Sequence, residues 1–153
     1  MKPAEPPESM RSKIVAKDLA QLPKPLRRSP AEHQAAAQVK LEKELHNQFS
    51  AWLRMHDRVF QFNDSAMNKR STMVEGWPDY TVLYKPEASD KPLVCLIELK
   101  IEPIRFKESQ RRKFSELMAA GITVNICTTL KDATDCLLEY FGIDRTAIIT
   151  NEG

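Results

Sequence analysis

Apolar residues recur at helical spacing along the segment that begins at residue 30. Ser29 is a suitable N-cap, Pro30 suits the first helical position, and Glu32 completes a capping box. The apolar positions that follow form a single stripe. Its members are Leu41, Leu45, Phe49, Trp52 and Leu53. The pattern predicts one long helix over residues 30–56.

Three short segments with strand character follow this helix. They are RVFQFN (58–63), DYTVLY (79–84) and LVCLIELKI (93–101). The polar residues 64–76 predict a loop, and the turn-rich segment KPEASDKP predicts a hairpin connection. The third segment is so apolar that we expect both of its faces to be covered.

The remainder of the chain alternates between helical and strand patterns. Residues 107–121 and 130–142 predict helices, residues 122–129 a strand, and the segment TAIIT (146–150) a final short strand. Short connections make the first three strands antiparallel neighbours, whereas the fourth follows a helix and can be parallel. The main order, α-β-β-β-α-β-α, predicts an α/β fold with a mixed sheet flanked by helices.

The N-terminal segment differs in composition from the rest. Six of the ten prolines fall in residues 1–30, and this segment carries a net charge of +4 where the whole chain carries +2. We predict a basic, proline-rich flexible arm over residues 1–29 and one folded domain over residues 30–153, because 153 residues suffice for a single core. A basic arm favours a polyanionic partner.

Several classes of protein are disfavoured. Cys95, Cys127 and Cys136 have no paired spacing and the three histidines are scattered, so we expect neither a disulfide framework nor a zinc site. No apolar run approaches the ~18 residues of a membrane span, and no hydrophobic signal segment is present. We expect a cytoplasmic protein with no membrane partner and no small-molecule cofactor.

Two carboxylates and a lysine lie at the ends of the two central predicted strands. Asp79 opens one strand, while Glu98 and Lys100 end the next on a shared face. A hairpin would bring all three together. Such a cluster suits phosphodiester hydrolysis, in which carboxylates and the Leu99 carbonyl hold a metal ion and the lysine orients or deprotonates water or offsets charge. The same residues also fit a surface ion pair and a Pro-Asp turn.

The ordered segments GWPDY, LIELK and ESQ resemble the PD-(D/E)xK nuclease superfamily, specifically standalone VRR-NUC nucleases of phage and bacterial type. The resemblance covers about residues 42–140. It implies a restriction-endonuclease-like fold, Mg²⁺ or Mn²⁺ as cofactor, Asp79 and Glu98 as metal ligands, and Lys100 as the catalytic lysine. It also implies that Gln110 lies near the site.

The glutamate that this family carries on its first helix has two candidates here, Glu42 and Glu44. Glu42 lies three and seven residues before Leu45 and Phe49 and therefore shares their inward face, whereas Glu44 does not. We predict that Glu42 is the additional catalytic, metal-side carboxylate, and Glu44 remains the alternative.

Basic residues flank the predicted site. Lys69 and Arg70 precede the Pro-Asp motif, and a second cluster follows the third strand. Its candidate DNA contacts are Arg105, Lys107, Arg111 and Arg112. A solvated face and contact with phosphates explain these charges equally well. We expect His46 to be a partly buried helix residue and Trp77 to pack at the strand entry.

The family resemblance implies a metal-dependent endodeoxyribonuclease that acts on branched DNA such as four-way (Holliday) junctions. It further implies a homodimer whose two-fold symmetry pairs the cuts, in a bacterial or phage-infected cell. One alternative is a flap or nicking nuclease recruited by partners. The other is a non-catalytic nucleic-acid-binding or protein-binding module on the same fold.

Overall fold

A computed structural model describes residues 29–65 and 74–149. The predicted arm, apart from Ser29, lies outside the described residues, and so do Lys69 and Arg70. The chain divides into two units, Met1–Ala37 and Gln38–Gly153, with the boundary inside the first helix. The first unit is described from Ser29 onward.

The described part of the first unit is the start of helix α1, Pro30–Met55. The Ser29 N–H donates a hydrogen bond to Glu32 Oε2 at 2.6 Å, and the Glu32 N–H donates to Ser29 Oγ at 3.2 Å. These reciprocal bonds are the predicted capping box. They satisfy two N–H groups that the helix itself leaves free.

The second unit contains the rest of α1 and all of the other described elements. In chain order these are β1 (Phe60–Asp64), β2 (Tyr80–Tyr84), β3 (Leu93–Leu99), α2 (Glu108–Ala119), β4 (Val124–Cys127), α3 (Leu130–Phe141) and α4 (Arg145–Ile149). Among the residues that the structure describes, none of these helices combines the length and the apolar character that a membrane span requires.

The four strands form one mixed sheet in the order β1-β2-β3-β4. β1 pairs antiparallel with β2, β2 pairs antiparallel with β3, and β3 pairs parallel with β4. The β2–β3 hairpin aligns Tyr80 with Ile97 and Tyr84 with Leu93. The predicted mixed α/β sheet is therefore confirmed, including the change of direction after α2.

The predicted final strand over residues 146–150 is wrong, because residues 146–149 belong to helix α4. Asp144 Oδ1 accepts hydrogen bonds from the N–H and the hydroxyl of Thr146 at 2.8 and 2.6 Å. This cap starts the helix and offsets the strand preference of the β-branched residues. Ile148 is buried against the core, and this packing further stabilises helix α4.

One face of the sheet carries the main core. The buried apolar residues of α1 and α3 belong to one cluster with inward residues of the strands. Its largest members include Phe49, Leu53, Phe60, Tyr80 and Leu137. The expectation that both faces of β3 are covered holds only for residues 95–99, because Leu93 and Val94 are 41% and 44% exposed. The buried half of β3 is the half that leads to Glu98.

Candidate active site

The β2–β3 hairpin places Asp79 beside Glu98. The pairing of Tyr80 with Ile97 puts the residue before β2 next to the end of β3. The Asp79 N–H donates a hydrogen bond to Glu98 Oε2 at 3.2 Å, and the Leu99 N–H donates to Asp79 Oδ2 at 2.9 Å. The backbone of each strand thus holds the carboxylate of the other.

Lys100 joins this pair of carboxylates. Its Nζ lies 2.9 Å from Glu98 Oε1 and 3.8 Å from Glu42 Oε1. Its backbone N–H donates to the Cys127 carbonyl at 3.0 Å, which fixes the chain next to β4. The ammonium also lies over the Phe106 ring, 5.9 Å from its centroid. Lys100 is therefore held from both ends and is mostly buried.

Of the two helix glutamates, Glu42 extends toward this cluster. The Glu42 carboxylate lies at its rim, where 34% of the side chain is exposed. Glu44 is exposed and accepts a hydrogen bond from Gln48 Nε2 at 3.2 Å, within the outer surface of α1. The spacing that put Glu42 on the inward face of the helix therefore agrees with its position beside Lys100.

Gln110 connects the site to the start of α2. Its Nε2 donates to Glu98 Oε1 at 2.5 Å, and its Oε1 accepts from the Lys107 N–H at 3.1 Å. One carboxamide therefore orients Glu98 and satisfies a free N–H at the helix N-terminus. The predicted proximity of Gln110 is present in the structure.

Gly76 allows the loop before Asp79 to lie against α2. Its φ is +83°, and a Cβ on it would overlap the Ser109 carbonyl and lie 2.9 Å from the Gln110 nitrogen. A residue with a side chain would push this loop away from the helix. The position of Asp79 relative to Gln110 therefore depends on this glycine.

The two carboxylates share a site that disfavours their charges. Burial raises the pKa of Asp79 and of Glu98, and the Asp79 charge raises the pKa of Glu98 further. For Lys100, burial lowers the pKa, but the hydrogen bond to Glu98 and the neighbouring carboxylates outweigh burial and raise it overall. An additional cation at the carboxylates would remove this penalty.

The donor set fits a hard divalent cation. Asp79, Glu98 and Glu42 offer carboxylate oxygens, which Mg²⁺ and Mn²⁺ prefer. Within residues 29–65 and 74–149, no three side chains of His, Cys, Asp or Glu form a ready-made metal cage. Mg²⁺ does not require one, because it keeps several waters and takes one or two carboxylates together with substrate phosphates.

The sequence patterns did not predict the hydrogen-bonded group that lies beside Asp79. His46 Nε2 lies 3.6 Å from Asp79 Oδ2, and His46 Nδ1 lies 3.1 Å from the Tyr80 hydroxyl. The Tyr80 hydroxyl lies 2.8 Å from Ser50 Oγ. Burial lowers the pKa of His46 despite the nearby carboxylates of Asp64 and Glu42. The available signal was the i, i+4, i+8 spacing of Glu42, His46 and Ser50 on one helix face.

Gln38 is a second residue that was missed. Its Nε2 donates to the carbonyls of Ile101 and Pro103 at 3.1 and 3.2 Å. α1 thereby holds the segment that directly follows Lys100. Nothing in the sequence pairs residues so far apart, so only the fold reveals this contact.

Comparisons with known proteins give a structural match but no match to a family model or a curated protein. A solved structure described as a VRR_NUC domain matches 66% of this chain and 97% of its own, at 20% sequence identity and a TM-score of 0.45. The chain is similar to a VRR_NUC domain.

The predicted phosphate-binding residues after β3 are exposed. They are Arg105, Lys107, Arg111 and Arg112. In the described parts of the chain none of the four lies within 4 Å of a carboxylate, although Arg112 interacts electrostatically with Glu116, which pairs with Lys113. Trp77 is half-buried and donates from Nε1 to Thr81 Oγ1 at 3.0 Å, so it packs at the strand entry as expected.

Proposed function

We propose that this protein is a divalent-metal-dependent endonuclease that hydrolyses phosphodiester bonds in DNA. The observation that carries the proposal is the convergence of Asp79, Glu98 and Lys100 at one end of the β2–β3 hairpin. The buried Glu98 and the largely buried Asp79 beside an ammonium form a costly arrangement for stability alone. The arrangement is well suited to binding a metal ion next to a phosphate.

Asp79 and Glu98 would hold Mg²⁺ or Mn²⁺, with the Leu99 carbonyl and Glu42 as additional oxygen ligands. When bound, the ion supplies a Lewis acid that polarises the phosphoryl oxygen and lowers the pKa of water. Gln110 orients Glu98 through its 2.5 Å hydrogen bond. The crossed backbone hydrogen bonds keep the two carboxylates in fixed positions.

Lys100 acts as a cation in this proposal. Its raised pKa keeps the ammonium charged, so it orients the attacking water and offsets charge that develops on the phosphate. Among the roles open to a lysine here, removal of a proton from water is disfavoured by the same raised pKa. Glu98, Glu42 and Phe106 fix its direction.

The exposed basic residues after β3 would contact the DNA backbone. Four exposed cations that follow β3 toward the site favour phosphate contact over a merely solvated face, although Arg112 also interacts with the Glu116 carboxylate. The basic arm of residues 1–29 would add further non-specific attraction, whereas residues 30–153 form the nuclease domain. Such contacts position the duplex without selecting a base sequence.

We further propose branched DNA, such as a four-way junction, as the substrate, and a homodimer as the active species in the cytoplasm of a bacterial or phage-infected cell. The motif resemblance supports this choice, and two-fold symmetry would pair the cuts. Light scattering at assay concentration tests the assembly. A dimeric mass is expected, and a monomeric mass rejects the paired-cut arrangement.

A cleavage panel tests the proposed function. Purified protein is incubated with Mg²⁺, Mn²⁺ or chelator on four-way junction, flap, splayed-arm and linear duplex DNA of equal length. We expect metal-dependent cleavage, fastest on the junction. Faster cleavage of flap or splayed-arm DNA than of the junction rejects the junction as the preferred substrate. DNA binding without cleavage on every substrate favours a non-catalytic binding module instead.

A further inference from the structure

A chain of hydrogen bonds links β1, α1 and β2 next to Asp79. Ser50 Oγ donates to Asp64 Oδ2 at 3.0 Å. Ser50 Oγ and the Tyr80 hydroxyl lie 2.8 Å apart, and the Tyr80 hydroxyl lies 3.1 Å from His46 Nδ1. This series of hydrogen bonds begins at the Asp64 carboxylate and ends at the His46 imidazole.

The donor and the acceptor in each of these hydrogen bonds can be assigned from the chemistry of the groups. Ser50 has a single hydroxyl proton, which it donates to Asp64 Oδ2. The Tyr80 hydroxyl then donates to Ser50 at its shorter contact, while the His46 carbonyl is a longer alternative acceptor at 3.1 Å. With the Tyr80 proton used, His46 Nδ1 must donate its own proton to the Tyr80 oxygen.

His46 therefore keeps its proton on Nδ1, and Nε2 carries a lone pair. This nitrogen lies 3.6 Å from Asp79 Oδ2. The His46 side chain is 14% exposed and the Asp79 side chain is 16% exposed. The distance is too long for a good hydrogen bond. Two electron-rich atoms face each other, and metal bonds of about 2.1 Å each could span the gap between them.

We propose that His46 Nε2 is a nitrogen ligand of the divalent ion held at Asp79, an inference that rests on the proposed metal-dependent function. The Tyr80–Ser50–Asp64 chain is the support that fixes the tautomer and direction of the ring, as partners behind metal-binding histidines do. An imidazole ligand shifts preference from Mg²⁺ toward Mn²⁺, Co²⁺ or Zn²⁺. The site would therefore bind Mn²⁺ more tightly than an all-oxygen site.

The test detects nitrogen bound to Mn²⁺ directly, without measuring cleavage. The full-length protein is titrated with MnCl₂, binding is followed by electron paramagnetic resonance, and electron spin-echo modulation is recorded on the loaded protein. We expect ¹⁴N modulation that changes to the ¹⁵N pattern in wild-type protein grown with ¹⁵N-imidazole-labelled histidine. This arm needs no substitution, so it cannot fail through misfolding.

Variants complete the test. His46→Gln should abolish the nitrogen modulation and weaken Mn²⁺ binding about 10–100-fold. Tyr80→Phe should retain the modulation and weaken binding by about 10-fold. The control is His56→Gln, because His56 Nδ1 contacts the Trp52 carbonyl at 2.8 Å and lies outside the proposed site. It should change neither property.

The possible failures are distinguishable. Mn²⁺ binding without nitrogen modulation in the wild type overturns the role of His46 and leaves the proposed nuclease intact. Modulation that persists unchanged in His46→Gln overturns it as well. A wild type that binds no Mn²⁺ at all overturns both the ligand and the metal-dependent function.

Discussion

The Asp79 N–H donates a hydrogen bond to Glu98 Oε2, and the Leu99 N–H next to Glu98 donates one to Asp79 Oδ2. The two carboxylates are therefore positioned by the register of the β2–β3 hairpin itself. A strand slip of one residue would turn Glu98 to the other face and separate the pair. The geometry of the site is a property of the sheet and not of a mobile loop.

The paired carboxylates should make the metal-free protein less stable as the pH rises. The pKa values of Asp79 and Glu98 are raised to about 6 and about 7, so the folded protein binds these protons more tightly than the unfolded chain. Their contribution is fully present below about pH 4 and is lost as the pH rises through about 7. Chemical denaturation in chelator should show this loss of unfolding free energy, on the order of 3 kcal/mol for each carboxyl group.

Two controls accompany the pH profile. Asp79→Asn removes one of the two charges and keeps an oxygen that can accept from the Leu99 N–H. The free energy of unfolding of this variant should therefore depend less on pH. Saturating Mn²⁺ should restore stability at pH 7.5, because the ion neutralises the pair. A wild-type free energy of unfolding that stays constant between pH 4 and 8 in chelator contradicts the raised pKa values.

Gln110→Ala should lower the cleavage rate about 10–100-fold, because Glu98 loses the donor that orients it. It should also cost about 1 kcal/mol of stability, because the Lys107 N–H loses its acceptor at the start of α2. Single-turnover cleavage and urea denaturation measure the two effects. Gln48→Ala is the matched control, since Gln48 bonds only to exposed Glu44 in the described contacts.

Gly76→Ala should destabilise the fold and reduce cleavage more than Gly121→Ala does. Both glycines have a positive φ, +83° and +79°, so alanine carries a similar backbone penalty of about 1–2 kcal/mol at each. Only at Gly76 does the new Cβ meet the backbone of α2, whereas nothing lies within 4 Å at Gly121. Equal losses of stability and rate in the two variants contradict the positioning role of Gly76.

Charge reversal at Arg111 and Arg112 should weaken DNA binding equally for all sequences. If each arginine contacts one phosphate, the double variant Arg111→Glu/Arg112→Glu should lower the slope of log affinity against log salt by about 2. Fluorescence anisotropy over a salt series measures this slope. Lys85→Glu/Lys91→Glu makes the same charge change at the turn of the hairpin, away from the site. If both double variants lower the slope equally, net charge is responsible and not contact.

The sequence predicted those parts of the site that depend on local pattern. Period-two alternation placed Glu98 and Lys100 on one face, and the prolines in KPEASDKP marked the hairpin that joins Asp79 to them. Helical spacing selected Glu42 over Glu44. These features follow from neighbours within one element or across one tight turn.

Other parts depend on contacts that no local pattern encodes. The His46–Tyr80 contact joins residues 34 positions apart, and Gln38 reaches the carbonyl of Ile101 over 63 positions. The final element was predicted as a strand because Thr146, Ile148 and Ile149 favour strands, yet the Asp144 cap makes it helical. Tertiary packing and a side-chain cap decided these cases.

The most direct test of the central claim is single-turnover cleavage of a four-way junction with saturating Mn²⁺ by wild type, Asp79→Asn and Lys100→Ala. Circular dichroism establishes that each variant is folded. We predict metal-dependent cleavage by the wild type and a loss of at least about 10²–10³-fold in both variants. Normal cleavage by the folded Asp79 variant, or a wild type that cuts no DNA with any metal, would contradict the account.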